Sequence, residues 1–461
     1  MTHAMSFDRD LVKKYDRSGP RYTSYPTAPQ FTSAFSVADY QAAAAASNLN
    51  LEAPLSLYIH IPFCKSLCYY CACNKIITHK TERAAEYLTY LKQEIDLQAP
   101  LFAKERLVTQ LHLGGGTPTY FTQAQLQELM DYLAAAFNFD RSEQHQFSLE
   151  VDPRTVTPEQ IFALRELGFN RLSFGVQDFD LAVQQAVNRV QSVEQVANLM
   201  QAARQAEFRS ISVDLIYGLP LQTEASFKQT LEQIVALKPD RIAAYSYAHL
   251  PQLVKAQKLI RPEDMPPPER KLQLLELTIN TLCAAGYVYI GMDHFALPDD
   301  ELAQARANGT LQRNFQGYST HADCDLVGLG VSSISKVNNT YSQNVKELSQ
   351  YYQQLTARQL PLQRGYLLNT DDLLRRDVIS QLMCHNLIDI KAIETKYKIN
   401  FSEYFADALE QLQEMVDDEL VTLSQNAITL LPKGNLMMRN VAMAFDNYLN
   451  QKRGTGFSRT V

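Results

Sequence analysis

The chain lacks the features that would place it in a membrane or in a disordered class. Its 461 residues include only 17 Gly and 19 Pro, too few for a collagen-like or low-complexity chain. No apolar run reaches the roughly 18 residues that span a bilayer, and the N-terminal segment has no apolar core of the secretory type. With 46% hydrophobic and 20% charged residues, the composition fits a globular enzyme of two or three domains. We therefore expect a cytoplasmic protein with no membrane partner.

Positive charge is also scarce. The chain has 43 Lys and Arg against 50 Asp and Glu, which gives a net charge of −7. A chain with this balance does not attract nucleic acid through its overall charge. We predict no nucleic-acid partner, and the acidic balance favours solubility.

An alternation of strands and helices begins near residue 54. Apolar or alternating runs are followed by polar turns and then by helical spacing, as in Leu126, Met130 and Leu133. Thr122 and Gln125 form a capping-box pattern before that helix. The predicted strands cover residues 55–63, 107–113, 146–151, 171–177, 210–217 and 241–249, with a further candidate at 287–295. Six βα units predict an α/β fold with a parallel sheet, either open or curled into a barrel.

The phase of polar residues within these strands points to a cavity. Glu150 shares one strand face with Ser148, Gln177 has the same phase as Ser173, and Asp214 lies on the polar face of its strand. A sheet packed on both faces would be almost continuously apolar. A single polar residue here is equally consistent with a buried side chain satisfied by hydrogen bonds. Three such strands in succession favour a partial (β/α)6, TIM-like barrel with a ligand-holding lumen.

The flanks of this region have different patterns, so we divide the chain into an N-terminal arm at 1–50, a barrel domain at 51–365 and a C-terminal domain at 366–461. The arm contains SGPRYTSYPT, a loop by composition, and residues 298–325 are expected to be irregular. The C-terminal domain has predicted helices at 371–384, 390–396 and 402–415, a hairpin turning at 424–426 and a last helix near 433. This order is winged-helix-like. Because its helices are rich in acids, a lid or substrate clamp is favoured over DNA binding.

Cysteine spacing gives the strongest chemical signal. Seven cysteines are present; Cys64, Cys68 and Cys71 follow the first predicted strand, and Cys73 is close behind. An odd number in this arrangement does not resemble a disulfide framework. Three thiolates in one loop can hold an iron-sulfur cube with one iron left open to a small molecule. The alternative is zinc, which needs four ligands, and Cys73 lies too near Cys71 for easy tetrahedral ligation.

A glycine run follows the second predicted strand. Gly114, Gly115 and Gly116 precede Thr117 in the motif GGGTPT. Glycines at a strand end let the backbone approach a ligand and expose its N–H and C=O groups. Taken alone the motif is equally consistent with a tight turn. One strand away from an open cluster, it is a plausible cradle for the amino acid moiety of a ligand chelated at iron.

Together these motifs resemble a known family. YIHIPFCKSLCYYCACNK and GGGTPT resemble the radical S-adenosylmethionine (SAM) superfamily. With SGPRYTSYPT, EVDPR, GVQDF, DLIYGLP, YAHLP, GMDHFA and NFQGY, the chain from about residue 10 onward resembles the oxygen-independent coproporphyrinogen III oxidases (coproporphyrinogen dehydrogenases). A haem-chaperone relative resembles the central part but typically lacks the cysteine matching Cys73 and the SGPRYTSYPT arm.

The resemblance implies the cofactors and their ligands. One [4Fe-4S] cluster would be held by Cys64, Cys68 and Cys71 and completed by an exchangeable SAM, with Cys73 not a ligand. A second SAM would lie beside the first. The positions that match the first SAM site are Tyr58, Gly115, Glu150 and Ile334. Those that match the second are Tyr70, Gly116, Thr117, Gln177, Arg189, Asp214 and Ala248. Where the family often has Phe, this chain has Tyr70.

The resemblance also implies the reaction. A 5'-deoxyadenosyl radical would start the oxidative decarboxylation of two propionates of coproporphyrinogen III to vinyl groups, giving protoporphyrinogen IX in haem biosynthesis. We expect a monomer served by a low-potential donor such as flavodoxin or ferredoxin. The substrate carries four carboxylates, and Arg21 in the arm is our leading candidate to bind one of them. Gln316, Asp293 and His294 are weaker pocket candidates. The alternatives are a haem-binding chaperone on the same fold, and a zinc-stapled scaffold whose tail contacts nucleic acid.

Overall fold

The computed structural model describes residues 7–321, 324–449, 457, 459 and 460, and these divide into two compact units. The larger unit runs from Thr32 to Thr281 and resumes after residue 323 to end at Leu367. The smaller unit takes the chain before residue 32, the segment from Leu282 to residue 321, and the chain from Leu368 onward. The domain boundaries given above, at 50/51 and 365/366, stay a prediction.

The larger unit is built on the predicted parallel strands. These are β1 (Leu55–Ile61), β2 (Leu107–Gly115), β3 (Gln146–Val151), β4 (Arg171–Gln177), β5 (Ser210–Tyr217) and β6 (Arg241–Ser246). Four more strands follow, β7 (Asp325–Leu329), β8 (Ile334–Val337), β9 (Thr340–Asn344) and β10 (Leu362–Leu367). The mixed α/β fold with a parallel sheet is confirmed.

These strands form one continuous sheet. Its order is β6-β5-β4-β3-β2-β1-β7-β8-β9-β10, with β1 to β7 parallel and β8 to β10 added as an antiparallel meander. The ladder does not close into a ring among the described strands, so the barrel is partial. The sequence predicts β1 to β6, but it does not predict β7 to β10, which extend the sheet.

Helices occupy most of the connections. They are α1 (Val37–Ser47), α2 (Glu82–Gln98), α3 (Gln123–Ala136), α4 (Pro158–Glu166), α5 (Leu181–Ala186), α6 (Val193–Gln205), α7 (Glu224–Leu237), α8 (Pro268–Ala284) and α9 (Leu348–Thr356). The predicted capping box at Thr122 and Gln125 opens α3. The outward-facing strand positions Leu57, Leu113 and Leu149 are completely buried, as are Leu91 of α2 and Leu133 of α3. The core of this unit therefore lies between the sheet and its helices, which leaves the other sheet face for polar residues.

The smaller unit contains most of the C-terminal helices. Its helices are Arg9–Tyr15, Glu301–Ala307, Thr370–His385, Ile390–Tyr397, Phe401–Tyr404, Ala406–Asp417 and Met438–Met443. Its strands are Val288–Gly291, His294–Ala296, Gln312–Asn314, Gly317–Ser319, Leu387–Asp389, Val421–Leu423 and Ala427–Leu430. The last three form a small antiparallel sheet, so the predicted helical region with a hairpin is present.

Three local predictions in this unit are wrong. The stretch from residue 298 contains the helix Glu301–Ala307, capped by Asp300, and a hairpin, and it is not irregular. The predicted helix at 402–415 is interrupted at Phe405, whose buried ring packs on Phe401 and Phe445 at centroid distances of 4.7 and 5.4 Å. The last helix begins only after a 3-10 turn at Pro432–Met437. Tertiary packing sets these boundaries, which propensity alone does not reveal.

No described helix combines the length and the apolar character needed to cross a bilayer.

Candidate functional site

The cysteine loop leaves the carboxyl end of β1 and is closed at its base. The two-residue strands Phe63–Cys64 and Ile76–Ile77 pair in parallel. Ile76 N donates to Pro62 O at 2.7 Å and Thr78 N to Cys64 O at 3.0 Å. A loop of about a dozen residues is thus held at both ends, and its three predicted ligands project from one short segment.

Hydrogen-bond donors are directed at the thiols of this loop. Thr117 Oγ1 donates to Cys64 Sγ at 3.4 Å. Cys68 Sγ accepts from Arg154 Nη2 at 3.4 Å and from Arg189 Nη1 at 3.5 Å. Cationic and hydroxyl donors stabilise a sulfur that carries negative charge, which is the form that binds metal.

The fourth cysteine, Cys73, lowers the pKa of the nearby Cys71. Hydrogen bonding from the Cys73 side chain, helped by the charge of Lys75, lowers the pKa of Cys71 to about 6 although burial opposes this. Burial raises the pKa of Cys64 to about 11. Lys75 Nζ also donates to Cys71 O at 2.6 Å. In this geometry Cys73 is a hydrogen-bond partner of Cys71.

The thiols of this loop have the donor chemistry of an iron-sulfur cluster. Within residues 7–321 and 324–449, no three His, Cys, Asp or Glu side chains converge as ligands of one metal ion. A four-iron cluster places each thiolate on a different iron, so its ligands need not converge on one point. Cys64, Cys68 and Cys71 supply the soft sulfur donors, and Arg189 Nε beside them is buried without a hydrogen-bond partner.

The glycine turn lies directly against the cysteine loop. Gly116 N donates to Ile61 O and Thr117 N to Phe63 O, both at 2.8 Å. A Cβ on Gly116 would lie 2.7 Å from the Pro62 carbonyl carbon and 2.8 Å from Phe63 O. The middle glycine, Gly115, has φ +112°, a conformation that favours glycine. Only glycine therefore fits at position 116, between the end of β2 and the cysteine loop.

A first group of polar residues lies on the inner face of β1, β2 and β3. The Tyr58 ring stacks on His112 at 5.8 Å. His112 Nδ1 is 2.6 Å from Ser148 Oγ, and its Nε2 is 3.3 Å from Glu150 Oε1. Gly115 N donates to Glu150 Oε2 at 3.1 Å. Burial acts to raise the pKa of Glu150, but the His112 hydrogen bond and charge outweigh it and keep the pKa below its usual value.

Ile334 continues this face on the other side of β1. It begins β8, and a Cβ on Gly328 of β7 would meet its carbonyl oxygen at 2.6 Å. Gly328 in turn pairs with Tyr58 across the parallel ladder. The four positions that match the first SAM site are thus on neighbouring strands.

A second group lies at the ends of β4 and β5. A Cβ on Gly175 would lie 2.9 Å from Arg189 Nη2 and 3.0 Å from Gln177 Nε2, so both side chains pass over this glycine. Gly175 pairs with Asp214, whose Oδ2 accepts from Ser173 Oγ at 3.2 Å. Burial, together with the negative charge of Glu150, raises the pKa of Asp214 to about 7.

One glutamine links the remaining two predicted positions. Gln257 Nε2 donates to Tyr70 O at 3.1 Å and to Ala248 O at 3.0 Å. The Tyr70 side chain packs against a buried cluster that includes Val187 and Tyr247. Tyr70 and Ala248 are therefore neighbours, on the β6 side of the cysteine loop.

Arg21 belongs to the smaller unit. Its guanidinium forms an ion pair with Asp293, another of the predicted pocket candidates. Arg313 Nη1 donates to the carbonyl oxygens of Arg21 and Tyr22, both at 2.8 Å. The His294 ring packs on Tyr318 at 5.4 Å. The substrate role of Arg21 stays a prediction.

The sequence reading missed several residues that shape the site. His112 lies on the polar face of its strand, as Glu150 does on the next strand, so the alternation of polar and apolar residues could have identified it. Arg154, within EVDPR, is three residues beyond β3 and pairs with Asp152 at 2.7 Å. Gln257 lies in a 3-10 segment, Lys255–Leu259, where no periodic pattern marks it.

Comparison with known proteins agrees with this geometry. The family profile of the radical SAM superfamily matches residues 58–234. The oxygen-independent coproporphyrinogen III oxidase of Pseudomonas aeruginosa is 48% identical over 461 residues, which is 100% of both chains. The enzyme of that name from Escherichia coli K12 is 48% identical over 458 residues, 99% of each chain. A solved structure of coproporphyrinogen III oxidase (HemN) from Escherichia coli, a radical SAM enzyme, matches with TM-score 0.92 at 47% identity, covering 97% of this chain and 100% of that one.

Proposed function

Because the chain belongs to the oxygen-independent coproporphyrinogen III oxidase family of the radical SAM superfamily, we propose a role in that reaction for each part of the site described above. The reaction is the oxidative decarboxylation of two propionates of coproporphyrinogen III to vinyl groups, which gives protoporphyrinogen IX in haem biosynthesis. Membership of the superfamily also brings a [4Fe-4S] cluster and SAM. When bound, these supply the reductive C–S cleavage that generates a 5'-deoxyadenosyl radical.

Cys64, Cys68 and Cys71 hold the cluster, and Cys73 does not. The observation that carries this assignment is the thiol loop itself, closed at its base and packed against the Gly114–Gly116 turn. Three ligands leave one iron free for the amino acid moiety of SAM, and the exposed backbone of the glycine turn is placed to orient that moiety. Arg154 and Arg189 stabilise the Cys68 thiolate through their N–H groups.

The two groups of polar residues bind two SAM molecules side by side. Tyr58, Gly115, Glu150 and Ile334 form the first site. The second is formed by Tyr70, Gly116, Thr117, Gln177, Arg189, Asp214 and Ala248. The proposal is supported by the placement of the groups. The first lies on β1 to β3 with β8, and the second combines β4, β5 and the segment after β6 with the cysteine loop and the residues that follow Gly115. His112 and Gly115 N hold the Glu150 carboxylate in place, so a cationic amine could be bound without rearrangement.

The protein's other task is to protect reactive species from water and stray donors. The buried ring of Tyr120 and the 6% exposed Thr117 lie beside the glycine turn, and the loop base is closed. We also propose that a low-potential carrier such as flavodoxin or ferredoxin supplies the electron, and that the enzyme works as a monomer in the cytoplasm.

The activity is tested by anaerobic incubation of the reconstituted protein with reductant, SAM and coproporphyrinogen III. Mass analysis should show two successive losses of carbon dioxide and two hydrogens, and the Cys64→Ala variant should show neither. Stable haem binding and transfer to an apo-protein, without these losses, would instead support a chaperone. Zinc without iron in anaerobically purified protein would support the scaffold hypothesis.

A further inference from the structure

The antiparallel extension of the sheet carries a cation onto the face that lines the site. In the ladder, Tyr58 pairs with Gly328, Ile334 with Gln343, and Gln343 with Arg364. Leu326 opposes Lys336 in antiparallel register, which brings Gly328 beside Ile334. Laterally paired residues share one face of a sheet, so the row runs from Tyr58 to Arg364 along the inner face.

The distance along this row suits a substrate much larger than SAM. Neighbouring strands are separated by close to 4.8 Å, so Arg364 on β10 lies about 10 Å beyond Ile334 on β8. A porphyrinogen bound beyond the SAM at Tyr58 and Ile334 would extend a peripheral propionate in this direction.

The guanidinium of Arg364 is held in a defined orientation. Its Nε donates to Gln343 Oε1 at 2.8 Å. Gln343 is 7% exposed and its Nε2 donates to Ser332 O at 3.2 Å, so the amide is fixed by the backbone. A planar guanidinium fixed in this way loses less conformational entropy when it binds a carboxylate.

A second cation, Lys346, follows β9 and is within electrostatic range of Arg364. The partial burial of the Lys346 ammonium and the positive charge of Arg364 both lower the pKa of Lys346. The Lys346 carbonyl accepts from Asn74 Nδ2 at 3.1 Å, and Asn74 O is 2.9 Å from His60 Nε2. Asn74 follows Cys73, so the backbone at Lys346 adjoins the cysteine loop.

We propose that Arg364 and Lys346 form a carboxylate site that binds a propionate of coproporphyrinogen III. This assignment rests on the proposed function. A carboxylate reaching this site could also come from SAM, but that group is expected at the open iron. The substrate has four carboxylates, and a guanidinium on the inner face with a second cation near it matches this negative charge.

Direct binding tests the site without requiring turnover. The probe is coproporphyrin III, a stable macrocycle with the same four propionates, titrated by fluorescence into the reconstituted protein. We expect Arg364→Gln and Lys346→Gln to raise its Kd at least tenfold, and Arg364→Lys to cause a smaller rise because the fork is lost but the charge is kept. Arg270→Gln, which removes an exposed arginine paired with Glu224 at 3.2 Å, is the matched control and should bind normally.

Two further measurements separate the possible explanations. Calorimetric titration of SAM should give the same Kd in Arg364→Gln as in the unaltered protein, and the neutral tetramethyl ester of coproporphyrin III should bind equally to both. Unchanged coproporphyrin binding in both charge-removing variants would overturn the proposal, as would weakened SAM binding with normal coproporphyrin binding. Failure of the decarboxylation assay alongside selective loss of coproporphyrin binding would contradict the proposed reaction while supporting this site.

Discussion

Single side chains around the three thiols determine what the loop can hold. Cys68 accepts from two arginines, Cys64 from a threonine hydroxyl, and Cys71 is paired with Cys73. Spacing alone indicated that three of the four cysteines would bind a cluster. The arginines could not be identified in this way, because they reach the thiols from distant parts of the chain: Arg154 follows β3 and Arg189 follows α5.

The four cysteines should differ in their effect on iron content. After anaerobic reconstitution, Cys64→Ala, Cys68→Ala and Cys71→Ala should each lose most of the roughly four iron atoms per chain, since each removes a ligand. Cys73→Ala should retain its iron because its thiol only hydrogen-bonds to Cys71. Iron and sulfide assays measure this, and loss of iron from Cys73→Ala would make Cys73 a ligand and the assignment wrong.

Asp214 should make the free energy of unfolding depend on pH. Burial and the charge of Glu150 raise its pKa to about 7 in the folded chain, against about 3.9 when unfolded. Between these values the folded chain holds a proton that the unfolded chain has released, so stability falls as pH rises through this window. In Asp214→Asn this decline should be shallower, by up to about 1.4 kcal/mol per pH unit.

Urea denaturation of cluster-free protein between about pH 4 and pH 7 measures the difference. The exposed Asp131→Asn on α3 is the control and should follow the unaltered protein. If Asp214→Asn also follows the unaltered protein across this range, Asp214 does not carry a raised pKa.

Strands and the turns that end them account for most of what sequence could predict. The bounds of β3, β4 and β5 match the predicted ranges because each is a short run between clear turn signals. β7 to β10 were missed since their pairing is set by tertiary contacts: β7 adds to β1 although some 260 residues separate them in sequence. The sequence therefore could not predict that Arg364 lies on the same sheet face as Tyr58.

The glycine turn should tolerate no side chain at Gly116. A Cβ there would meet backbone atoms of Pro62 and Phe63 within 2.8 Å, so Gly116→Ala must separate the end of β2 from the cysteine loop. We expect lower iron content after reconstitution and at least a tenfold loss of kcat/KM.

Gly168→Ala is the control, because a Cβ there meets nothing within 4 Å. It should lose about 1 kcal/mol of stability through its positive φ but keep its iron. Normal iron and activity in Gly116→Ala would contradict this account of the turn.

A buried ion pair connects β7 to the rest of the sheet. The side chain of Arg106 is fully buried and donates to Asp325 Oδ2 at 2.7 Å, Ala53 O at 2.8 Å and Ser47 Oγ at 2.9 Å. Arg106→Met leaves the Asp325 carboxylate without this partner and should cost about 3 to 5 kcal/mol. The exposed neighbour Lys104→Met should change stability by less than about 0.5 kcal/mol. Denaturant titration of both variants provides the comparison, and equal stabilities would show that the pair contributes nothing.

The molecule as a whole combines an open α/β sheet with a smaller, largely helical unit. Composition and charge indicated an acidic globular enzyme, and the relatives at 48% identity over their full length give the same reaction class. The sequence could not show how residues from six strands and the loops between them share one polar face, because that depends on register. The polar phase of three strands predicts a lumen on that face.

We propose that three thiolates hold a four-iron cluster whose remaining iron is open to SAM. Electron paramagnetic resonance of the reduced, anaerobically reconstituted protein, recorded before and after SAM is added, tests it most directly. We predict about four iron atoms and four sulfides per chain and a cluster signal that changes when SAM binds. A protein without iron, or a cluster signal that SAM leaves unaltered, would contradict the account.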